Sequence, residues 1–125
     1  MLKNLRAFFD GTGDAELVEH AWLPHAEFVR LVCSMDICMQ VSFTETYNIV
    51  AADSAYHGVP IVVSPDIRWA NCLYRANPNR SDDMVGTLRR AWWFRGFRLH
   101  WLNKLGLLVA NHRAKRLWHK LCARG

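Results

Sequence analysis

The sequence predicts an α/β fold, in which a small parallel sheet is covered by helices on both faces. Two short apolar segments, Asp36–Ser42 and Ile61–Ser64, are typical of strands and are separated by segments with helical periodicity. Strands that are apolar throughout and that alternate with helices indicate a parallel sheet buried on both faces. The composition agrees, because 51% of the 125 residues are hydrophobic and 22% are charged, which excludes a disordered chain.

The elements before the first of these strands are predicted from the spacing of apolar residues. Leu2–Phe9 has apolar residues at helical spacing, and the glycines of residues 11–13 end that segment. Ala15–Leu23 is rich in Leu, Val and Trp and predicts a further strand, which ends at Pro24. His25–Met35 returns to helical spacing and predicts the helix that leads into the strand Asp36–Ser42.

The elements after that strand have clearer boundaries. Asn48–His57 predicts a helix, since Gly58 stands where a helix commonly ends in a left-handed residue. Residues 65–83 are rich in Pro, Asn and Asp and predict a loop with at most one helical turn. Asp83–Phe94 and Leu99–Arg124 predict two further helices. The spacing predicts that one face of the last helix is formed by Leu102, Leu105, Val109 and His112.

Charge divides the chain into two parts, residues 1–85 and residues 86–125. The first part has six Lys and Arg against eleven Asp and Glu, a net charge of −5, whereas the second has ten Lys and Arg and no acid, a net charge of +10. Such asymmetry predicts two functional units, of which the second is a basic helical extension. Four of the six tryptophans lie in this extension: Trp92, Trp93, Trp101 and Trp118.

Three interpretations of the basic extension remain open. Its cations can form a solvated helical face whose long aliphatic stems cover apolar surface. They can dock on an anionic membrane surface, with the tryptophans at the depth of the lipid headgroups. They can also bind nucleic acid, which the dense cluster of aromatic residues at 92–97 disfavours, because base-stacking platforms are more widely spaced.

The candidate site lies between the strand that ends at Ser42 and the helix that begins near Tyr47. Ligands of open α/β sheets bind at the carboxyl ends of strands, and a helix N-terminus there attracts anions with its free N–H groups. Glu45 lies in the connecting loop and Asp53 lies two turns into the helix. Two carboxylates at such a phosphate-binding position can each accept hydrogen bonds from sugar hydroxyls.

The phrase around these acids resembles a known family. Residues 44–63 read TETYNIVAAD followed by SAYHGVPIVV, with seven residues between Glu45 and Asp53 and a Gly-x-Pro ending before the apolar strand. This phrase is similar to the donor-binding domain of retaining glycosyltransferases of the GT-B fold, the family 4 group. The similarity covers Ala15–Trp69 and implies that residues 1–85 form a partial, Rossmann-like domain that binds a nucleotide sugar.

The resemblance implies a role for each residue of the phrase. Glu45 would contact the donor sugar as the catalytic residue of the site, and Asp53 would contact the nucleotide ribose. The resemblance also implies hexosyl transfer without a cofactor or a metal, because the nucleotide-diphosphate sugar is the substrate. Two family glycines are replaced here by Thr46 and Asn48. The residues expected to bind the donor are Glu45, Thr46, Tyr47, Asn48, Ile49 and Asp53.

The resemblance also implies a missing partner. The family has an acceptor domain before the donor domain, and the present chain corresponds to the second half of a donor domain with a C-terminal extension. We therefore expect either a separate N-terminal acceptor domain or a homo-oligomer. The alternative is a non-catalytic remnant or binding module that uses its basic helices for a membrane surface or a partner.

The cysteines and the N-terminus bear on location and metal binding. The four cysteines have no C-x-x-C spacing, so we expect reduced thiols and no zinc site. Lys3 and Arg6 are followed by Asp10 before any apolar run, which is a poor signal peptide. These features predict a cytoplasmic protein that is at most associated with a membrane surface.

Overall fold

The computed structural model describes residues 6–7, 9, 13, 15–44 and 47–123. Across these residues the elements alternate between helix and strand in the order α1, β1, α2, β2, α3, α4, with a short 3₁₀ helix, Cys72–Tyr74, between β2 and α3. The bounds are α1 His25–Cys33, β1 Cys38–Gln40, α2 Ile49–Tyr56, β2 Ile61–Val63, α3 Ser81–Arg95 and α4 Trp101–Cys122.

The two strands form a parallel sheet. Cys38 lies opposite Ile61, and Gln40 lies opposite Val63. On its other side Val63 forms an isolated parallel bridge with Arg75, so β2 has neighbours along both edges. This mixed arrangement of helices around a small parallel sheet agrees with the predicted α/β class.

Packing on the two faces of β2 follows the alternation of its side chains. Ile61 and Val63 belong to one core cluster and Val62 belongs to the other. All three side chains are fully buried. The first cluster is completed by α2, the loop after β2 and α4, through Ala51, Ala52, Ala55, Ile67, Trp69, Ala70 and Leu107. The second cluster is completed by Tyr74, Ala76 and Ala91.

The predicted end of α2 is confirmed. Gly58 has φ +80°, in the left-handed region where a side chain would be strained, and its N–H donates to the Ala55 carbonyl. Pro60 then leads into β2, and its carbonyl accepts a hydrogen bond from Cys38 N–H at 2.8 Å. The turn therefore brings β2 directly alongside β1.

The packing face of α4 differs from the predicted one. Asn103 and Leu107 are buried, whereas Leu105 and Val109 are exposed and Leu102 is only partly buried. The reason is Gly106, because a Cβ at that position would collide with the carbonyl of Trp69. The helix approaches the body at Gly106, so the predicted face, which includes the exposed His112, does not pack against the core.

The predicted strand Ala15–Leu23 is wrong. Residues 15–24 have no regular secondary structure, and Trp22 is 89% exposed. A segment with the composition of a strand forms one only where another strand pairs with it, and no described residue does so here. Much of the predicted helix Leu2–Phe9, including Leu2, Leu5 and Phe8, lies outside the described residues, as does its stop at Gly11 and Thr12.

The predicted boundary between the two units, at residues 85 and 86, falls inside α3. Within the predicted extension, α4 contributes Leu107 to the first core cluster. Within the described part of the chain, no helix combines the length and the hydrophobicity that crossing a bilayer requires.

Candidate functional site

A cleft lies where the segments following the two parallel strands meet. Phe43 and Thr44 come from the segment after β1, and Asp66, Arg68 and Trp69 come from the segment after β2. Tyr47, before α2, and Ala110, on α4, complete the lining of this cleft of about 670 Å³. Its position is the one at which open parallel sheets bind their ligands.

A buried hydroxyl ties the two strand ends together at the base of the cleft. Ser64 is fully buried, and its Oγ accepts a hydrogen bond from Ser42 N–H at 2.8 Å. Ser42 and Ser64 each follow the strand next to them, so this bond fixes the spacing of the two loops. The separation of Phe43 and Thr44 from Asp66 and Arg68 is thereby set by the sheet itself.

The loop after β2 is fixed by Arg75. Its guanidinium donates to the Ala70 carbonyl from Nε and Nη2, at 3.1 and 2.6 Å, and to the Arg68 carbonyl at 2.9 Å. Ile67 is fully buried and anchors the same loop from below, which leaves the side chains of Asp66 and Arg68 exposed. Among the described residues, the Arg68 guanidinium has no ion-pair partner, so it supplies a positive charge at the cleft.

Trp69 lines the cleft and also packs in the first core cluster. Its side chain is almost completely buried against the core, and its Nε1 has no hydrogen-bond partner among the described residues. An indole N–H is a donor only. A buried donor without an acceptor is unfavourable.

The N-terminus of α2 is organised by Asn48. This residue caps the helix, and its Oδ1 accepts a hydrogen bond from Ala51 N–H at 2.9 Å. Its φ is −99°, in the extended region that caps commonly adopt, and its side chain is buried. The N–H groups of Ile49 and Val50 have no partner among the described residues and remain at the helix start.

The structure describes four of the six predicted donor-binding residues. Tyr47 lines the cleft and is half exposed, and Ile49 is exposed at the first position of α2. Asn48 contributes its side chain to the helix cap. Glu45 and Thr46 lie outside the described residues, although both Thr44 and Tyr47, on either side of them, line the cleft.

Asp53 lies on the outer face of α2, away from the cleft lining. Its Oδ2 is 3.0 Å from Nε2 of His25, the first residue of α1, and its side chain retains partial exposure. Ile49, Val50 and Asp53 share this exposed face of the helix, being separated by about one turn or less. His25 and Val50 also line a second depression of about 500 Å³, together with His20 and Trp22.

Sequence reasoning missed two groups of residues that the structure brings to this region. Asp66, Arg68 and Trp69 follow a strand end, and the rule that selected the segment after Ser42 applies to them equally. His25 lies 28 residues before Asp53, a separation over which no local pattern could pair them.

Metal binding has no visible support in the described residues. Over residues 15–44 and 47–123, no group of three His, Cys, Asp or Glu side chains is placed to hold an ion. Cys38 is half-buried in the first core cluster, where burial raises the pKa of its thiol above the ordinary value and keeps it protonated. The thiol therefore serves packing.

Comparisons with protein-family models, with curated proteins and with solved structures found no match to this chain.

Proposed function

We propose that the chain binds the nucleotide-diphosphate sugar of a glycosyl transfer and supplies part of a Rossmann-like donor domain of the GT-B type. The observation that carries the proposal is the cleft, into which both strand-end loops and Tyr47 converge beside the exposed cation of Arg68. The resemblance of residues 44–63 to the sugar-donor-binding domain indicates which class of ligand the cleft would bind.

The diphosphate is assigned to the start of α2. The free N–H groups of Ile49 and Val50 and the partial positive charge of the helix end attract phosphate oxygens. Arg68 adds a full charge from the opposite loop. Such fixed dipoles and cations stabilise the negative charge that develops on a departing diphosphate, which is the electrostatic task of a glycosyltransferase.

The nucleoside is assigned to the outer face of α2. Asp53 lies four residues beyond Ile49, a rise of about 6 Å along the helix, which suits the separation between a second phosphate and the ribose hydroxyls. One carboxylate oxygen is near His25, and the other is available to a ribose hydroxyl. The exposed indole of Trp22 in the adjoining depression offers a surface on which a base can stack.

The sugar and the transfer step are assigned to the loop that holds Glu45. By the resemblance, this carboxylate contacts the donor sugar, and Thr46 and Tyr47 follow it toward the helix. By the same resemblance, the transfer needs no cofactor. An acceptor domain, or a second copy of the chain, would cover the open side of the cleft.

Calorimetric titration with UDP, GDP and ADP tests the donor site. We expect one of these to bind and the Asp53→Ala variant to bind it about 10- to 150-fold more weakly, which corresponds to one charged hydrogen bond of about 1.5–3 kcal/mol. Asp82→Ala is the matched control, because Asp82 is an exposed carboxylate in the first turn of α3. Equal affinities for the two variants would contradict the assignment of Asp53.

The release of nucleoside diphosphate from sugar nucleotides distinguishes a glycosyltransferase from a non-catalytic binding module. Release that is lost in the Glu45→Gln variant supports glycosyl transfer. Binding at the Asp53 face without turnover, under conditions that include a range of acceptors, supports the non-catalytic binding module instead.

A further inference from the structure

The second half of α4 carries an apolar stripe that no described residue covers. In the first half of the helix, Asn103, Leu107 and Ala110 pack against the body. The same stripe continues at spacings of three and four residues through Ala114, Leu117, Trp118 and Leu121. Leu117, Trp118 and Leu121 are 62%, 68% and 64% exposed. The helix therefore extends beyond the body with its apolar side uncovered.

The rest of this half-helix is cationic. Arg113, Arg116 and Lys120 lie along one edge of the stripe, and Lys115 lies toward the other. With Leu117, the first three line a shallow depression in which their aliphatic stems adjoin the leucine. No acid occurs anywhere in residues 86–125, so nothing within this part of the chain neutralises them.

We propose that the second half of α4, residues 111–122, docks in the plane of an anionic lipid bilayer. Leu117, Trp118 and Leu121 would enter the boundary between headgroups and acyl chains, and the adjoining Arg and Lys would meet lipid phosphates. A helix with one apolar face, a cationic remainder and a tryptophan at the apolar side has the features of interfacial helices. The charge complementarity selects anionic over neutral lipid.

A protein partner or a nucleic acid would engage only one of the two features, the apolar stripe or the cations. A protein partner that covered the stripe would also bury Lys115 or Lys120 beside it, although Lys is depleted in protein–protein interfaces. Nucleic acid would engage the cations but leave Leu117 and Leu121 in water, since aliphatic side chains do not stack on bases. A bilayer takes up both the apolar stripe and the cations at once.

Flotation with vesicles tests the proposal. The probes are vesicles of phosphatidylcholine alone and of equal parts phosphatidylcholine and phosphatidylserine. We expect binding to the anionic vesicles, with a blue shift of tryptophan emission that Trp118→Phe reduces. Leu117→Ser combined with Leu121→Ser should weaken partitioning roughly tenfold to hundredfold, because less apolar surface enters the bilayer. Leu105→Ser with Leu108→Ser is the matched control, since both leucines are half exposed on α4 outside the stripe.

Salt dependence separates the two contributions. Arg113→Gln with Arg116→Gln should weaken binding at low salt and match the wild type at high salt, where charges are screened. Because the leucines and arginines are exposed, circular dichroism should show unchanged helix content in every variant. The proposal is overturned if the serine variant floats like the wild type, if neither vesicle binds, or if only single-stranded RNA changes the emission. It is also overturned if the stripe proves to hold two copies together without lipid.

Discussion

At the residue scale, the cleft is held by side chains that bond to backbone. Ser64 Oγ bonds the Ser42 N–H, Arg75 bonds two carbonyls of the loop after β2, and Asn48 caps α2. Each of these bonds pairs a backbone polar group that the loop would otherwise leave without a hydrogen-bond partner. The exposed side chains of Tyr47 and Arg68 are consequently free for a ligand while their backbone is fixed.

Arg68→Ala should weaken binding of the nucleoside diphosphate by about 10- to 150-fold, since a charged hydrogen bond to phosphate contributes about 1.5–3 kcal/mol. The unfolding free energy should stay unchanged, because the guanidinium is exposed. Arg80→Ala is the control, an exposed arginine that pairs with Asp82. Titration calorimetry and urea denaturation measure the two quantities. Equal losses of affinity in both variants would show nonspecific attraction of phosphate by positive charge.

The environment of His100 makes the free energy of unfolding depend on pH. Burial lowers the pKa of His100 below its ordinary value, and the nearby Arg98 charge lowers it further. The unfolded chain therefore binds the proton at a higher pH than the folded one, so stability is lost as pH falls through the ordinary histidine range. In urea denaturation at roughly pH 7 and pH 5, His100→Gln should lose less stability than the wild type. His119→Gln, at an exposed position of α4, should follow the wild type. An equal loss in all three proteins would refute the role of His100.

At the element scale, local sequence signals set helix ends but not helix faces. The end of α2 was predictable because Gly58 is required by the left-handed backbone there. The packing face of α4 was not, because it depends on the contact between Gly106 and the Trp69 carbonyl, 37 residues away in the sequence. Ala15–Leu23 has the composition of a strand, but strand formation depends on a neighbour that composition does not reveal.

Two glycine variants test the packing of α4. Gly106→Ala should lower the unfolding free energy by about 1–3 kcal/mol, because the new methyl group would meet the Trp69 carbonyl and push the helix outward. Gly86→Ala should raise it by about 0.5–1 kcal/mol, since a Cβ there meets nothing within 4 Å and alanine favours the interior of α3. Urea denaturation measures both changes. Two variants that shift stability in the same direction would contradict the close approach of α4.

At the scale of the whole molecule, large apolar side chains of the described residues are exposed at several separate places. Examples are Trp22, Phe43 and Leu121, at the end of α4. The sheet was predictable from short strands that are apolar throughout and separated by helices, and the cleft from the rule that ligands bind at strand ends. The pairing of Asp53 with His25 was not, because it arises only when α1 packs against α2.

This exposed surface predicts self-association of the isolated chain. Among the described residues β1 pairs only with β2, which leaves its other edge unpaired, and Met39 in the middle of β1 is half exposed. Light scattering coupled to size exclusion should give a mass above 14.5 kDa that rises with concentration. Met39→Lys should reduce the association, whereas Val85→Lys, at a similarly exposed position of α3, should not. A monomer at every concentration would contradict an open sheet edge.

Amide chemical-shift mapping by NMR locates the nucleoside diphosphate, which we expect to bind where the strand-end loops meet α2. During titration with UDP, GDP or ADP, we expect shifts at the amides of Tyr47, Ile49, Val50 and Arg68, followed by Asp53 along the same helix face. Shifts confined to residues 89–123, where the basic helices would attract any phosphate, would contradict it.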